Sequence, residues 1–190
     1  MGLRYLDVEI MSKYLDVKIE TCSLHGMDRV DRILAQWHRE RPDLDVGPMG
    51  LLGRLKRIED RLELDLARVF ARHGLTSAGF DVLATLRRSG APYRLTPSDL
   101  IAWTMVSSGT MTNRLDRLEA AGLVERNRNP ADGRGFVVAL TPKGLALIDT
   151  VVTEHVANQH VLVGGLAPDE FERLDDLLKR WLRQFEGGDP

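Results

Sequence analysis

Residues 96–140 read TPSDLIAWTMVSSGTMTNRLDRLEAAGLVERNRNPADGRGFVVAL, and they hold the clearest local signals for secondary structure in the chain. It opens with three residues typical of a helix start. Thr96 is a good N-cap, Pro97 suits the first helical position, and Asp99 complements the positive end of the helix dipole. We therefore predict a short helix that runs through Trp103.

Further along the same stretch, the pattern changes from helical to extended. A turn over residues 105–107 leads to a second predicted helix over residues 108–121. Residues 123–127 and 136–140 alternate or run apolar, as two short strands do. The turn-rich residues 128–135 join them. The order helix, turn, helix, strand, loop, strand predicts a winged helix-turn-helix.

The second helix has two chemically different faces. Met111, Leu115 and Leu118 supply an inward apolar face, and short hydrogen-bonding groups with one arginine occupy the other. A helix of this length fits the major groove of DNA, and the hairpin arginines are placed to reach a minor groove or the backbone. The predicted DNA-binding residues are Ser107, Ser108, Thr110, Thr112, Asn113 and Arg117 on the helix, with Arg128, Asp132 and Arg134 in the loop.

A plainer interpretation of this surface stays open. A helix with Ser, Thr and Arg outside is often only a solvated face, and a charged hairpin is often only a turn. Residues 107–134 contain five arginines and four acids, and the whole chain has a formal net charge of -2, so charge does not decide the matter.

Helices are also predicted on both sides of this region. Val30, Ile33, Leu34 and Trp37 share one face of a helix over residues 27–41. The remaining predictions are a turn at Gly47-Pro48, a long helix over residues 51–73, a helix capped by Ser77 that reaches Ser89, and helices over residues 142–161 and from about Pro168 to Phe185. The long and the C-terminal helices carry apolar stripes that suit a dimer interface. The fold class is therefore mainly α with a small β-wing.

Composition limits the classes of function. The chain has 190 residues and one cysteine, Cys22, so an intramolecular disulfide is excluded. No apolar run approaches the roughly 20 residues that span a bilayer. The N-terminus carries Asp7, Glu9 and Asp16 in place of a signal-peptide core, and we expect a cytoplasmic protein without membrane contact. We find no nucleotide-binding loop, nucleophile elbow or zinc pattern, and predict neither an enzyme nor a metal or cofactor.

Four segments of this sequence together resemble the MarR family of transcription regulators. They are VSSGTMTNRLDRLE (residues 106–119), GLVER (residues 122–126), NPADGR (residues 129–134) and LTPKG (residues 140–144). The resemblance implies a homodimer on a pseudo-palindromic operator, with a ligand cleft between the dimerisation and DNA-binding lobes. It makes Arg134 the arginine of the wing tip and Asp132 its partner. The implied domains are residues 1–26 as an arm, 27–75 as N-terminal dimerisation and ligand-cleft helices, 76–141 as the DNA-binding domain and 142–186 as C-terminal dimerisation helices.

Within this family, the sequence is similar to the urate-responsive, PecS-like subgroup. The resemblance implies that Trp37, Asp81, Arg114 and Arg126 surround the ligand. An indole can stack on a flat heterocycle, and arginines can pair with an anion. We expect an effector such as urate or an aromatic acid. Trp37 in the core, an Asp81–Arg114 salt bridge, and phosphate contacts by Arg114 and Arg126 are the alternative interpretations.

Two other functions and one unexplained segment stay open. A helical dimeric interaction module that does not bind DNA also fits the apolar helices, and a redox-sensing regulator would act through Cys22. Residues 1–26 contain YLDVEI and YLDVKI nine residues apart, which suits a short strand, a mobile arm, or sequence upstream of a native start at Met27.

Overall fold

The computed structural model describes residues 26–104, 108–129 and 135–186. Outside these ranges lie residues 1–25 of the predicted N-terminal arm, which include Cys22, the turn over residues 105–107, and residues 130–134 of the hairpin loop. The chain divides into two compact units, the first ending at Glu59 and the second beginning at Asp60. In agreement with the predicted class, the fold is mainly helical with one small antiparallel sheet.

The structure contains seven helices and three strands within the described residues. They are α1 (Arg29–Glu40), α2 (Gly47–Arg72), α3 (Ser77–Arg88), β1 (Arg94–Leu95), α4 (Pro97–Thr104), α5 (Ser108–Ala120), β2 (Val124–Arg128), β3 (Phe136–Leu140), α6 (Pro142–Val163) and α7 (Pro168–Glu186). All the predicted helices and both predicted strands are present.

Two helix starts differ from the sequence prediction. The turn expected at Gly47-Pro48 is the first turn of α2, which begins at Gly47. Proline fits there because the first amide groups of a helix have no partner inside the helix. The N-cap of α3 is Thr76 rather than Ser77, and its Oγ1 accepts a hydrogen bond from the amide of Gly79 at 3.0 Å.

In the first unit, α1 contacts the first half of α2. Asp28 caps α1 through a capping box with Asp31. Val30 lies against Gly53, and Leu34 lies against Gly50. These contacts fix the course of α1 along α2.

In the second unit, α3 packs against α4, α5 and α6 around one apolar core. The side chains of Leu83, Leu86, Leu100 and Ile148 are completely buried there. The sheet order is β1-β3-β2, with both pairs antiparallel. Strand β1, which was not predicted, has two residues and pairs with Val138 and Ala139 of β3.

Candidate nucleic-acid interface

Helix α5 presents one apolar face to the core and one polar face to solvent. Met111, Leu115 and Leu118 are at most 5% exposed, as the sequence predicted. Thr110, Thr112, Asn113 and Arg117 of this helix are exposed. The described residues offer Arg117 no ion pair. The outer face of α5 therefore carries hydrogen-bonding groups and an unneutralised cation.

The C-terminal end of α5 is fixed to the start of α6. The hydroxyl of Thr141 donates to the carbonyl of Gly122 at 2.8 Å, and Nζ of Lys143 donates to the carbonyl of Ala121 at 2.8 Å. A Cβ atom at Gly144 would lie 1.9 Å from the carbonyl oxygen of Leu123. Only glycine permits this approach, so the LTPKG segment gives α5 a rigid support.

Helix α4 is held by Arg88 from α3, a contact that the sequence analysis missed. Nη2 of Arg88 donates to the carbonyl of Trp103 at 2.9 Å, and its guanidinium lies 5.9 Å from the centre of the Trp103 ring. At the other end of α4, the predicted cap is present, since Oγ1 of Thr96 accepts from the amide of Asp99. Both ends of the helix before α5 are therefore fixed.

Arg126 links the wing, which is the hairpin of β2 and β3, to helix α5. From β2, its guanidinium donates to Asp116 at 2.5 Å and also to Glu119, while its backbone amide donates to Glu119 at 3.2 Å. The ring of Phe136 on β3 lies 5.6 Å from the same guanidinium. The hydrogen bond to Asp116 is the main cause that raises the pKa of Arg126. The position predicted to bind a ligand is thus paired with two carboxylates.

The hairpin between β2 and β3 continues past the strands. Arg128 faces Phe136 across the ladder, and the amide of Asn129 donates to the carbonyl of Gly135 at 2.9 Å. Arg128 is exposed at the end of β2. Among the other predicted DNA contacts, Ser108 begins α5, whereas Ser107, Asp132 and Arg134 lie outside the described residues.

Two of the four predicted ligand residues interact electrostatically in the second unit. Burial is the main influence on Asp81 and raises the pKa of its carboxyl, and Arg114 most strongly opposes that rise. No direct ion pair joins Asp81 to Arg114 among the described side chains, which does not support the salt-bridge alternative. Nη1 of Arg114 is buried without a hydrogen-bond partner.

Arg114 also borders a cleft of about 450 Å³ between α5 and the start of α3. Asn113 and Arg117 of α5 and Gly79 of α3 line the same cleft. Asp81 and Arg126 are not among its lining residues, and Trp37 lies on α1 of the first unit, 40% exposed. The cleft thus offers two arginines to a small anion.

Comparison with known proteins places this geometry in a family. A family model described as "MarR family" matches residues 73–135. The chain is 43% identical over 151 residues to the HTH-type transcriptional regulator PecS of Dickeya dadantii, which covers 80% of this chain and 91% of the relative.

Solved structures give the same result. A point mutant of Escherichia coli MarR, complexed with operator DNA, aligns with a TM-score of 0.61 at 29% identity, over 77% of this chain and 97% of that one. Bordetella bronchiseptica BpsR aligns with a TM-score of 0.60 at 29% identity, over 68% of this chain and 90% of that one. The BpsR structure concerns the regulation of DNA binding by 6-hydroxynicotinic acid.

The fold and the two-faced α5 define the class of winged helix-turn-helix transcription regulators. The chain belongs to the MarR family, as its motifs indicated. No helix in the described ranges has the length and apolar character needed to cross a membrane. In the same ranges, no three His, Cys, Asp or Glu side chains are grouped to hold a metal ion.

Proposed function

We propose that the protein is a homodimeric regulator that binds a pseudo-palindromic operator and releases it when a small anionic or aromatic molecule binds. Repression of transcription is the default within the family. The proposed DNA binding rests on one observation. Helix α5 is anchored to the core by Met111 and Leu115, yet it leaves Thr112, Asn113 and Arg117 exposed on its outer face.

On operator DNA, α5 enters the major groove and the wing contacts the flanking backbone. Asn113 and Arg117 are suited to base edges, because an amide or a guanidinium makes paired hydrogen bonds there. In the wing, Arg128 and Arg134 contact the backbone or a minor groove, and Asp132 orients Arg134. The structure of an E. coli MarR mutant complexed with operator DNA supports binding to operator DNA by a protein of this fold.

Two subunits are needed to present two α5 helices about one DNA turn apart. The described part of α7 has no buried residue, although it carries a continuous apolar stripe. Leu174 and Leu178 on this stripe are 43% and 40% exposed. A second copy of the chain would cover such a surface, since apolar area removed from water stabilises the assembly.

We assign the binding of the effector to four residues, which are Trp37, Asp81, Arg114 and Arg126. Nη1 of Arg114 is a buried donor without a partner, which an anion would satisfy. An anion near Arg126 would compete with Asp116 and Glu119 for its guanidinium, so binding would loosen the wing. The aromatic acid named for BpsR supports an effector of this class, and urate is the first compound to test.

A mobility-shift titration tests both parts. The protein should retard DNA from upstream of its own gene more strongly than a shuffled duplex, and salt should weaken the complex. Urate should release the upstream DNA. An effector acts only through its difference in affinity for the two states, so urate should bind the free protein more tightly than the complex. Equal retardation of both duplexes would support the interaction-module alternative.

A further inference from the structure

Helix α1 meets α2 in the first unit at two glycines of α2. A Cβ atom at Gly50 would lie 3.0 Å from Cδ1 of Leu34, and one at Gly53 would lie 3.4 Å from Cγ1 of Val30. The first distance is tighter than ordinary van der Waals contact. The side chains of Val30 and Leu34 therefore occupy the space that the two glycines leave open.

Arg54 of α2 closes one end of this contact with two ion pairs. Its Nε lies 2.8 Å from Oδ2 of Asp28, and its Nη2 lies 2.5 Å from Oδ1 of Asp31. These two acids form the capping box of α1. Backbone hydrogen bonding from Asp31 and then the Arg54 side chain lower the pKa of Asp28. The guanidinium of Arg54 thus binds both acids of the capping box at the start of α1.

The register of α1 against α2 indicates which part of α2 lies level with Trp37. From Val30 to Leu34, the contact advances four residues on α1, while it moves back three residues on α2, from Gly53 to Gly50. The helices are therefore antiparallel. One further turn brings Trp37, which follows Leu34 by three residues on the same face, to the level of Gly47 at the start of α2.

We propose that Arg54 is a positioning residue for the effector response: it fixes α1 on α2 and thereby sets the place of Trp37. This inference rests on the ligand role proposed for Trp37. Asp28, Asp31 and Arg54 are partly exposed, with side-chain exposures of 47%, 37% and 40%. A single exposed ion pair contributes little, but one planar guanidinium bridging two carboxylates at a helix cap fixes geometry.

The chain offers a matched control on the same helix. Arg57 is exposed and has no ion pair with any described residue. Arg54→Gln removes the bridge between the two acids, whereas Arg57→Gln removes an equal charge without breaking a contact. Arg54→Lys keeps the charge but cannot form the planar fork. A thermal melt of each variant establishes that the second unit remains folded.

The first measurement needs no effector. In a Trp103→Phe, Trp181→Phe background, Trp37 is the only tryptophan, and its acrylamide quenching reports its environment. Arg54→Gln should raise both the quenching of Trp37 and the amide exchange of α1, the latter by about 3- to 10-fold. Arg57→Gln should change neither, and Arg54→Lys should be intermediate. Wild-type values in the Arg54→Gln variant would overturn the inference.

The second measurement uses urate and DNA, with all tryptophans present. Arg54→Gln should leave the affinity for upstream DNA unchanged and raise the urate concentration for half-release by about 3- to 10-fold. An equal shift in Arg57→Gln would overturn the inference, since charge alone would then explain it. If urate fails to release DNA from the wild type, the proposed response to urate is wrong, while the quenching of Trp37 still decides whether Arg54 positions α1.

Discussion

Nη2 of Arg126 on the wing donates to Oδ1 of Asp116 on α5 at a distance of 2.5 Å. This ion pair joins two elements that the proposed complex must hold in fixed relation, since α5 reads a groove and the wing contacts the backbone beside it. Glu119 and the ring of Phe136 hold the same guanidinium from two other sides. The side chain of Arg126 is 25% exposed, so solvent screens the pair only in part.

Loss of this link should weaken DNA binding more than it destabilises the fold. We expect Arg126→Gln to lower the free energy of unfolding by about 1 kcal/mol and to lower operator affinity by about tenfold. Fluorescence anisotropy with labelled operator, together with urea unfolding, measures the two effects. Arg57→Gln serves as the control.

The coupling between the partners is measured by a double-mutant cycle of Arg126→Gln and Asp116→Asn. Each replacement should cost less affinity in the presence of the other, because the pair is already broken. Strict additivity would show that Arg126 acts on DNA independently of α5.

The close approach at the start of α6 makes Gly144 intolerant of substitution. We expect Gly144→Ala to destabilise the protein by about 2–4 kcal/mol, because the added methyl group collides with the backbone of Leu123 rather than with a movable side chain. Gly165→Ala is the matched control, since a Cβ atom there meets nothing within 4 Å. Thermal melts of the two variants that coincide would contradict the described packing.

The sequence was sufficient to predict this region where local signals are strong. The inward face of α5 follows from the spacing of Met111, Leu115 and Leu118, and the start of α4 follows from the hydroxyl of Thr96. These features depend on residues within one or two helical turns. Periodicity and capping chemistry therefore identified them without knowledge of the tertiary structure.

The features that the sequence analysis missed depend on distant parts of the chain. Strand β1 has only two residues, and it exists because β3 lies beside it. Arg54 and Asp28 are 26 residues apart, and no local pattern brings them together. The partners of Arg126 required the register of the wing against α5. The start of α2 at Gly47 was missed because a Gly-Pro pair more often marks a turn than a first helical turn.

His155 should make stability sensitive to mild acid. The centre of its ring lies 5.3 Å from the ring centre of Phe70, on which it stacks, and 4.8 Å from that of Phe80. Burial lowers the pKa of His155, and Asp81 partly offsets this effect. Below about pH 6.5, the unfolded chain binds a proton at this residue more readily than the folded chain does. The contribution of neutral His155 to the free energy of unfolding is therefore lost as the pH falls from about 6.5 toward the lower pKa of the folded state.

We expect the wild type to lose more stability between pH 7.5 and pH 5.5 than the His155→Gln variant does. His160→Gln, at an exposed position of the same helix, should behave like the wild type. Urea unfolding at one fixed protein concentration makes the comparison, because dimerisation would otherwise contribute. Identical losses in the wild type and His155→Gln would contradict the effect of burial.

The exposed stripe on α7 should be required for the dimer. Leu178→Glu places a charge within the stripe, and we expect it to convert the protein to a monomer at micromolar concentration, because burying an unpaired carboxylate is strongly unfavourable. Arg183→Glu places the same side chain on the opposite face of α7 and should leave the dimer intact. Sedimentation equilibrium distinguishes the two species. A Leu178→Glu dimer would remove α7 from the interface.

Base reading by α5 is tested by the ratio of affinities for operator and shuffled duplex. Competition anisotropy at fixed salt measures this ratio for the wild type and for Asn113→Ala. If the outer face of α5 reads bases, the wild type should prefer the operator, and Asn113→Ala should lose about 1–3 kcal/mol of that preference while binding shuffled DNA as before. A wild type that binds both duplexes equally, or a ratio that Asn113→Ala leaves unchanged, would show that α5 does not read bases.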